Sequence, residues 1–204
     1  MRKFLESRPY LTLGNLAALW QDDVRRLIGW SSVSQSGYAL MAVCVVGLST
    51  SALPALLFFL LGYAAANLAA FAVVVHLRGR TAIADYSGLG ESRPSAALAL
   101  TVSFLSLVGI PPLGGFLGKL MLLRSTIEAG YAWLAAFAVA NTVVSLFYYL
   151  RVIGPIYLQP VQYPAAVLGR WTAAATWLGI TAIIGIGVAA EAGLAGFANS
   201  ALLP

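Results

Sequence analysis

The sequence predicts an all-α protein, a polytopic transmembrane helix bundle of about five spans, one of them a discontinuous helix. Three observations predict it. Of 204 residues, 60% are hydrophobic and only 9% charged, with a mean hydropathy of +0.87, far from the roughly 45–50% apolar and 25% charged composition of soluble domains. The apolar residues fall into long segments separated by short polar or basic stretches. The longest segment carries in its middle a run that no helix crosses unbroken, Gly109 to Lys119, GIPPLGGFLGK.

Taken in order, residues 1–26 read as the stub of a truncated helix followed by a cytoplasmic loop, and residues 27–204 as the transmembrane domain. The stub, Tyr10 to Trp20 (YLTLGNLAALW), is apolar but about half of the roughly 20 residues a span needs. Arg2 and Lys3 open the chain, but Glu6, Arg8 and Pro9 interrupt what would be the apolar core of a signal peptide, so no cleavable signal is expected. The spans are placed at about 27–47, 52–77, 95–127, 131–158 and 171–194. The third is too long for one straight crossing. A break near 109–115 divides it into two half-helices joined by an irregular elbow. Pro111 and Pro112 remove two amide donors there and Gly114 and Gly115 loosen the backbone, so the freed carbonyls need protein partners or cavity water.

Orientation is read from the basic residues. Arg2, Lys3, Arg8, Arg25 and Arg26 precede the first span; Arg78, Arg80 and Arg93 lie in the second connection; Arg151 and Arg170 flank the fourth. The first connection, 48–51, has no charge, and the third has Arg124 and Glu128, one turn apart and placed to pair. The positive-inside rule then predicts the N-terminus cytoplasmic, the C-terminus outside and an odd number of crossings. Trp133, Trp171 and Trp177 sit near segment ends, where interfacial aromatics belong. The net charge of +5 comes from residues scattered at segment ends. That pattern fits a lipid bilayer rather than nucleic acid. Cys44 is alone, which excludes an internal disulfide and a Cys-based metal site. No nucleotide-binding glycine fingerprint follows a strand and no metal-spaced Cys or His cluster occurs.

Within this frame Lys119 is the functional-site candidate, because an ammonium in hydrocarbon costs a few kcal/mol or more unless something solvates it. Desolvation disfavours its charged form, which would let it exchange a proton near neutral pH instead of remaining a fixed cation. A competing reading has its stem snorkel toward the outer interface near Glu128, since nine residues of helix span only about 13 Å. Other polar residues recur at helical spacing: Asn141, Ser145 and Tyr148 in the fourth segment, Tyr63 and Asn67 in the second, Ser103 and Ser106 in the third. They read either as interhelical hydrogen bonds or as a water-lined path. Ser31, Ser32, Ser34, Gln35, Ser36 and Tyr38 give the first span a polar start, an interfacial cap or the floor of an aqueous half-channel. His76 ends the second span beside Arg78 and Arg80. It reads as a structural or interfacial histidine, with proton relay as the alternative.

Three runs carry a family resemblance: Gly14 to Tyr38 (GNLAALWQDDVRRLIGWSSVSQSGY), the elbow with Gly109, Pro111, Pro112, Gly114, Gly115 and Lys119, and Tyr148 to Val152 (YYLRV). In this order they resemble the antiporter-like membrane subunits of respiratory complex I, most closely the subunit N branch of bacterial NADH:quinone oxidoreductase. The resemblance covers nearly the whole chain from Gly14 onward. Members of that family contain inverted repeats, each with a broken helix and a buried ionisable residue, and this chain is similar to their C-terminal portion only. The resemblance implies that Lys119 is the proton-transfer residue toward the outer half-channel. Gln35 departs from the histidine many relatives carry, which weakens a relay role there. The first repeat, with its glutamate and lysines, is not matched.

The resemblance further implies a chain without a cofactor of its own, NADH, FMN, iron-sulfur clusters and quinone being expected on other subunits, and without redox chemistry outside the assembled complex. Implied partners are the other membrane subunits and a separate chain supplying the N-terminal helices; the implied location is the bacterial plasma (inner) membrane. Two alternatives remain: a subunit of a multi-subunit cation/proton antiporter or membrane-bound hydrogenase, which share the elbow and its lysine, and a truncated remnant that conducts nothing. The YYLRV run and the short tail after Leu194 favour the first reading.

Overall fold

The computed structural model describes the backbone of residues 2–77, 79–162 and 169–200, and the side chains of 9–77, 79–162 and 169–189. Arg78 and the side chains of Arg2, Lys3, Glu6, Arg8 and Leu194 lie outside the described residues. The helices in chain order are α1 (Arg2–Leu19), α2 (Val24–Val45), α3 (Ala52–His76), α4 (Leu89–Ser92), α5 (Pro94–Val108), α6 (Gly114–Glu128), α7 (Ala132–Leu158) and α8 (Arg170–Ser200), with a 3₁₀ turn at Ile83–Tyr86. The protein is an all-α membrane bundle. Among the described residues, three helices are long and apolar enough to cross a membrane by length and composition: α3, α7 and α8 over Arg170–Ala189. The serines and Gln35 in the first half of α2 lower its hydropathy, and α5 and α6 are 15 residues each. Together α5 and α6 cover the region of the third span expected from the sequence.

The first helix corrects the sequence reading. Tyr10 to Trp20 was too short to count as a span, yet α1 starts at Arg2 and takes Pro9 into its interior. At 1.5 Å per residue its 18 residues reach about 27 Å, most of a hydrocarbon core. It runs antiparallel to α2: Leu11 lies against Gly37, Gly14 against Trp30 and Ser34, and the Leu19 carbonyl accepts from Arg151. Its first residues therefore lie toward the Ser49 end of the bundle, not beside Arg25 and Arg26. With α1 a long helix packed against α2, the bundle holds one long helix more than the five spans expected from the sequence. A hydropathy window sees the charges at the start of α1 but not the packing partner that makes it a helix.

The end opposite Ser49 is closed by polar contacts between connections. Asp23 caps α2 by accepting from the Arg26 amide (3.1 Å) and also accepts the Thr81 hydroxyl (2.6 Å). Backbone bonds from Val24 to Thr81 and from Ile83 to Asp22 fasten the same two connections. Arg151 closes the end of α1, bonding the Leu19 carbonyl and the Asp22 carboxylate (2.8 Å). This is why it sits inside α7 rather than beyond it. The second connection docks onto α7 and the residue after it through Gly88 to Pro155 (3.1 Å) and Ser87 to Gln159 (2.7 Å). At the other end Arg124 pairs with Glu128 (2.8 Å) as expected, and the Ser49 and Ser51 hydroxyls also donate to Glu128.

Between these ends lie two apolar regions. One gathers Leu27, Tyr86, Leu100, Phe104, Tyr149 and Ile156; the other Leu11, Met41, Phe59, Leu122 and Leu134. Helices in lipid gain little from hydrophobic burial against one another, so close van der Waals packing must hold them. Ala65, Ala66, Ala69 and Ala70 of α3 supply small surfaces in the same cluster as Ile180 and Ile183 of α8. The elbow lies between the two regions.

Candidate functional site at the helix break

The break is built from the sequence outward. α5 ends where Gly109 takes φ 93°, a left-handed conformation that side chains disfavour. Gly109 and Ile110 then both donate to the Leu105 carbonyl (3.0 Å each), which tightens the last turn. Pro111 and Pro112 follow, joined by a cis peptide. In an unbroken helix the carbonyl of residue i accepts from the amide of residue i+4. Leu107 and Val108 would therefore accept from residues 111 and 112, the two prolines, which have no amide hydrogen. Two carbonyls are freed at a known place.

Lys119 takes both. Its Nζ donates to the Leu107 carbonyl at 2.7 Å and to the Val108 carbonyl at 3.0 Å. The side chain reaches back along α6 to close the end of α5, where the helix dipole is negative. Lys119 is only 5% exposed, so the snorkelling alternative is not what the structure shows. The ion pairs Arg25–Asp23, Arg124–Glu128 and Arg151–Asp22 do not involve it. Its ammonium also faces the Tyr38 ring, with Nζ 4.6 Å from the centroid, a cation–π distance. That ring is held from α7: the Tyr38 hydroxyl donates to the Ala138 carbonyl (2.8 Å) and shares a 2.6 Å bond with Thr142.

Two further contacts complete the elbow. Gln35 donates from Nε2 to the same Leu107 carbonyl at 3.1 Å. The amide of Gly115, in the first turn of α6, donates to the Ser106 hydroxyl at 3.2 Å, satisfying one of the free amides of a helix start. A Cβ at Gly115 would fall 1.9 Å from the Ser106 carbonyl oxygen, so this approach requires glycine. Gln35, Phe59, Gly62, Tyr63, Ser106, Leu107, Gly115 and Lys119 enclose a cavity of about 10 Å³, at the lower limit for one water. The site holds a lysine among carbonyls and an aromatic face.

Of the sequence-predicted residues, the structure brings together Lys119, Gln35, Tyr38, Gly109 and Gly115, with Gly114 starting α6; Pro111 and Pro112 are exposed, the Pro112 carbonyl lying close to Gly187 of α8. Asn141, Ser145 and Tyr148 form a second buried cluster. There Asn15 of α1 donates to the Asn141 carbonyl (2.9 Å) and side-chain oxygen (3.2 Å), and Tyr148 donates to Asn15 (3.1 Å). Ser145 donates to the Thr142 carbonyl (2.6 Å). This face therefore finds its partners within the chain. Asn67 donates to the Tyr63 carbonyl (3.0 Å), while its side-chain oxygen has no hydrogen-bond partner. His76 is buried at the end of α3. Neither lines the elbow cavity. Sequence reasoning missed Asn15 and Tyr149 as polar partners; the Tyr149 hydroxyl and that of Ser31, one of the polar residues expected at the start of the first span, bond each other across α2 and α7. Asn15 was legible as the one side-chain amide in the apolar run 10–20.

Residues 10–145 match the family model described as NADH:quinone oxidoreductase/Mrp antiporter, TM. NADH-quinone oxidoreductase subunit N of Mycobacterium sp. (strain JLS) is 53% identical over 150 residues, 74% of this chain and 32% of that protein. Subunit N 1 of Streptomyces griseus is 46% identical over 181 residues, 87% of this chain and 38% of that protein. The chain thus spans about a third of the length of these curated relatives. A chain of respiratory complex I from Thermus thermophilus with bound aureothin superposes with a TM-score of 0.80 at 32% identity, covering 91% of this chain and 43% of that one. A chain of the Mrp complex from Dietzia sp. DQ12-45-1b gives 0.83 at 23% identity, covering 94% and 45%, a likeness of fold alone. With a family match over residues 10–145 and these relatives, the chain belongs to the NADH:quinone oxidoreductase/Mrp antiporter transmembrane family.

Proposed function

We propose that this chain is a proton-translocating portion of a subunit N-type component of NADH:quinone oxidoreductase, in which Lys119 takes up and releases the proton at the helix break. One observation carries the reading: the only ammonium buried in the described bundle is held by the two carbonyls that Pro111 and Pro112 leave without donors. Dipoles hold it, not a counter-charge, so loss of its proton leaves no buried carboxylate exposed to an unpaired state. The chain contributes no redox group; NADH, FMN, iron-sulfur clusters and quinone would be held by other subunits. Its partners would be the other membrane subunits, with a separate chain supplying the helices that the longer relatives have. The basic end, with Arg25, Arg26, Arg80, Arg93 and Arg170, faces the cytoplasm of a bacterial plasma membrane by the positive-inside rule.

The test is purification of the tagged chain from its native membrane in mild detergent, followed by NADH-driven proton pumping in reconstituted vesicles. Recovery with the other complex I subunits is the expected result. Lys119→Ala then assembles and pumps at least tenfold more slowly, and Lys119→Arg does the same because a guanidinium does not release its proton. Pumping at the parent rate in both variants overturns the assignment. Recovery of the chain alone favours the non-conducting remnant, and recovery with antiporter subunits alone favours the cation/proton antiporter reading.

A further inference from the structure

Two side chains from different helices converge on one atom at the break. Lys119 Nζ of α6 stands 2.7 Å and Gln35 Nε2 of α2 stands 3.1 Å from the carbonyl oxygen of Leu107. A carbonyl has two lone pairs, so both donors fit at once. The contact also fixes the Gln35 amide, because only its nitrogen can face a carbonyl. Gln35 is 3% exposed and lines the same small cavity as Lys119.

Movement of Lys119 would be costly without this second donor. The residues four positions beyond Leu107 and Val108 are prolines, so neither carbonyl can fall back on its own helix. A buried carbonyl left without a donor loses the full desolvation cost of that group. The cavity, about 10 Å³, has room for about one water. Withdrawal of Lys119 would then strand two carbonyls with one water between them.

We propose that Gln35 is a positioning residue that keeps the Leu107 carbonyl satisfied when Lys119 leaves it, so that the lysine can swing away from the break and return at the cost of one carbonyl rather than two. This rests on the reading of Lys119 as the proton carrier. Gln35 touches no transferred proton; it acts by holding the acceptor that Lys119 shares. An amide suits the task because it donates in the same way at every pH, whatever the charge on the lysine.

The experiment uses the assembled complex in vesicles, with pumping rate and complex content measured together, and Lys119→Ala as the control. Gln35→Leu removes the donor at nearly unchanged volume and is expected to slow pumping about tenfold per assembled complex. Gln35→His returns a ring N–H at similar reach and is expected to restore the rate to within about twofold. A purely packing role would leave both variants equally impaired. Pumping by Gln35→Leu at the parent rate overturns the proposal, as does equal impairment of Gln35→Leu and Gln35→His in complexes of normal content. If Gln35→Leu does not assemble, Gln35→Asn, whose amide stops one methylene short of the carbonyl, replaces it with the same two outcomes. Normal pumping by Lys119→Ala would instead remove the underlying reading of the lysine, whatever the Gln35 variants do.

Discussion

The ammonium of Lys119 stands 2.7 Å from the carbonyl oxygen of Leu107, the oxygen that an uninterrupted helix would give to the amide of residue 111, which is a proline. Val108 repeats the relation with Pro112 at 3.0 Å. The prolines break the helix and also define the binding site for the lysine eleven and twelve residues beyond these carbonyls.

Giving the amides back should therefore compete with the lysine. In Pro111→Ala/Pro112→Ala the first turn beyond Val108 can satisfy Leu107 and Val108 internally, and Lys119 must share Val108 with one amide and compete for Leu107 with both an amide and Gln35. Hydrogen bonds to charged groups contribute about 1.5–3 kcal/mol, so proton pumping is expected to fall by about tenfold or more with assembly retained. NADH-driven pumping in vesicles checks this. An unchanged rate would mean that the freed carbonyls are not what holds the lysine in its working position.

Gly115 offers a stability test independent of transport. A methyl there would meet the Ser106 carbonyl oxygen at 1.9 Å, backbone against backbone, so the half-helices must separate. Overpacking of this kind costs about 1–3 kcal/mol. Thermal unfolding in detergent should show Gly115→Ala melting clearly below the parent. Gly185→Ala, with nothing within 4 Å of the added atom, should melt within experimental error of it or slightly above.

Asn15 tests the second polar cluster. Truncation to Ala removes the donor to Asn141 and the acceptor of Tyr148. Side-chain hydrogen bonds between membrane helices average about 0.6 kcal/mol and reach about 1.7, so Asn15→Ala should lower stability by about 1 kcal/mol. Asn15 does not line the elbow cavity. Pumping per assembled complex should accordingly stay within about twofold of the parent, a separation that simultaneous thermal and transport measurements would reveal.

Asp23 carries a pH-dependent term. Partial burial pushes its carboxyl up, but the Thr81 hydroxyl, the Arg26 amide and the Arg25 guanidinium together outweigh this and hold it below its ordinary 3.8. A lowered folded value means the carboxylate stabilises the fold fully above 3.8, and that this stabilisation is lost as pH falls through the folded value. Loss of such a cap costs about 1 kcal/mol. The melting temperature of Asp23→Ala should lie below the parent at pH 7, and the gap should close as the pH drops below 3.8. A gap that persists in acid would show that the carboxylate is not its source.

Much of the architecture was already written in local chemistry. The boundaries of α2, α3, α7 and the start of α8 follow apolar runs, and the break follows from two adjacent prolines, because missing amides act within one turn wherever the helix sits. Even the identity of the freed carbonyls follows from counting back four residues from Pro111 and Pro112. What required the tertiary structure was everything set by neighbours distant in sequence. α1 is a full helix because α2 and Arg151 give its polar and small residues partners, which no window of residues 1–20 contains. Asn141 and Tyr148 meet Asn15 rather than Lys119 because of which face α7 turns toward α1. The sequence favoured a buried Lys119 over one that snorkels outward, but it did not name what the ammonium would meet, since its stem reaches either way. The fold decided it by placing two unpaired carbonyls and the Tyr38 ring within a few ångströms of its nitrogen, where an ammonium finds in dipoles what it would otherwise need from water.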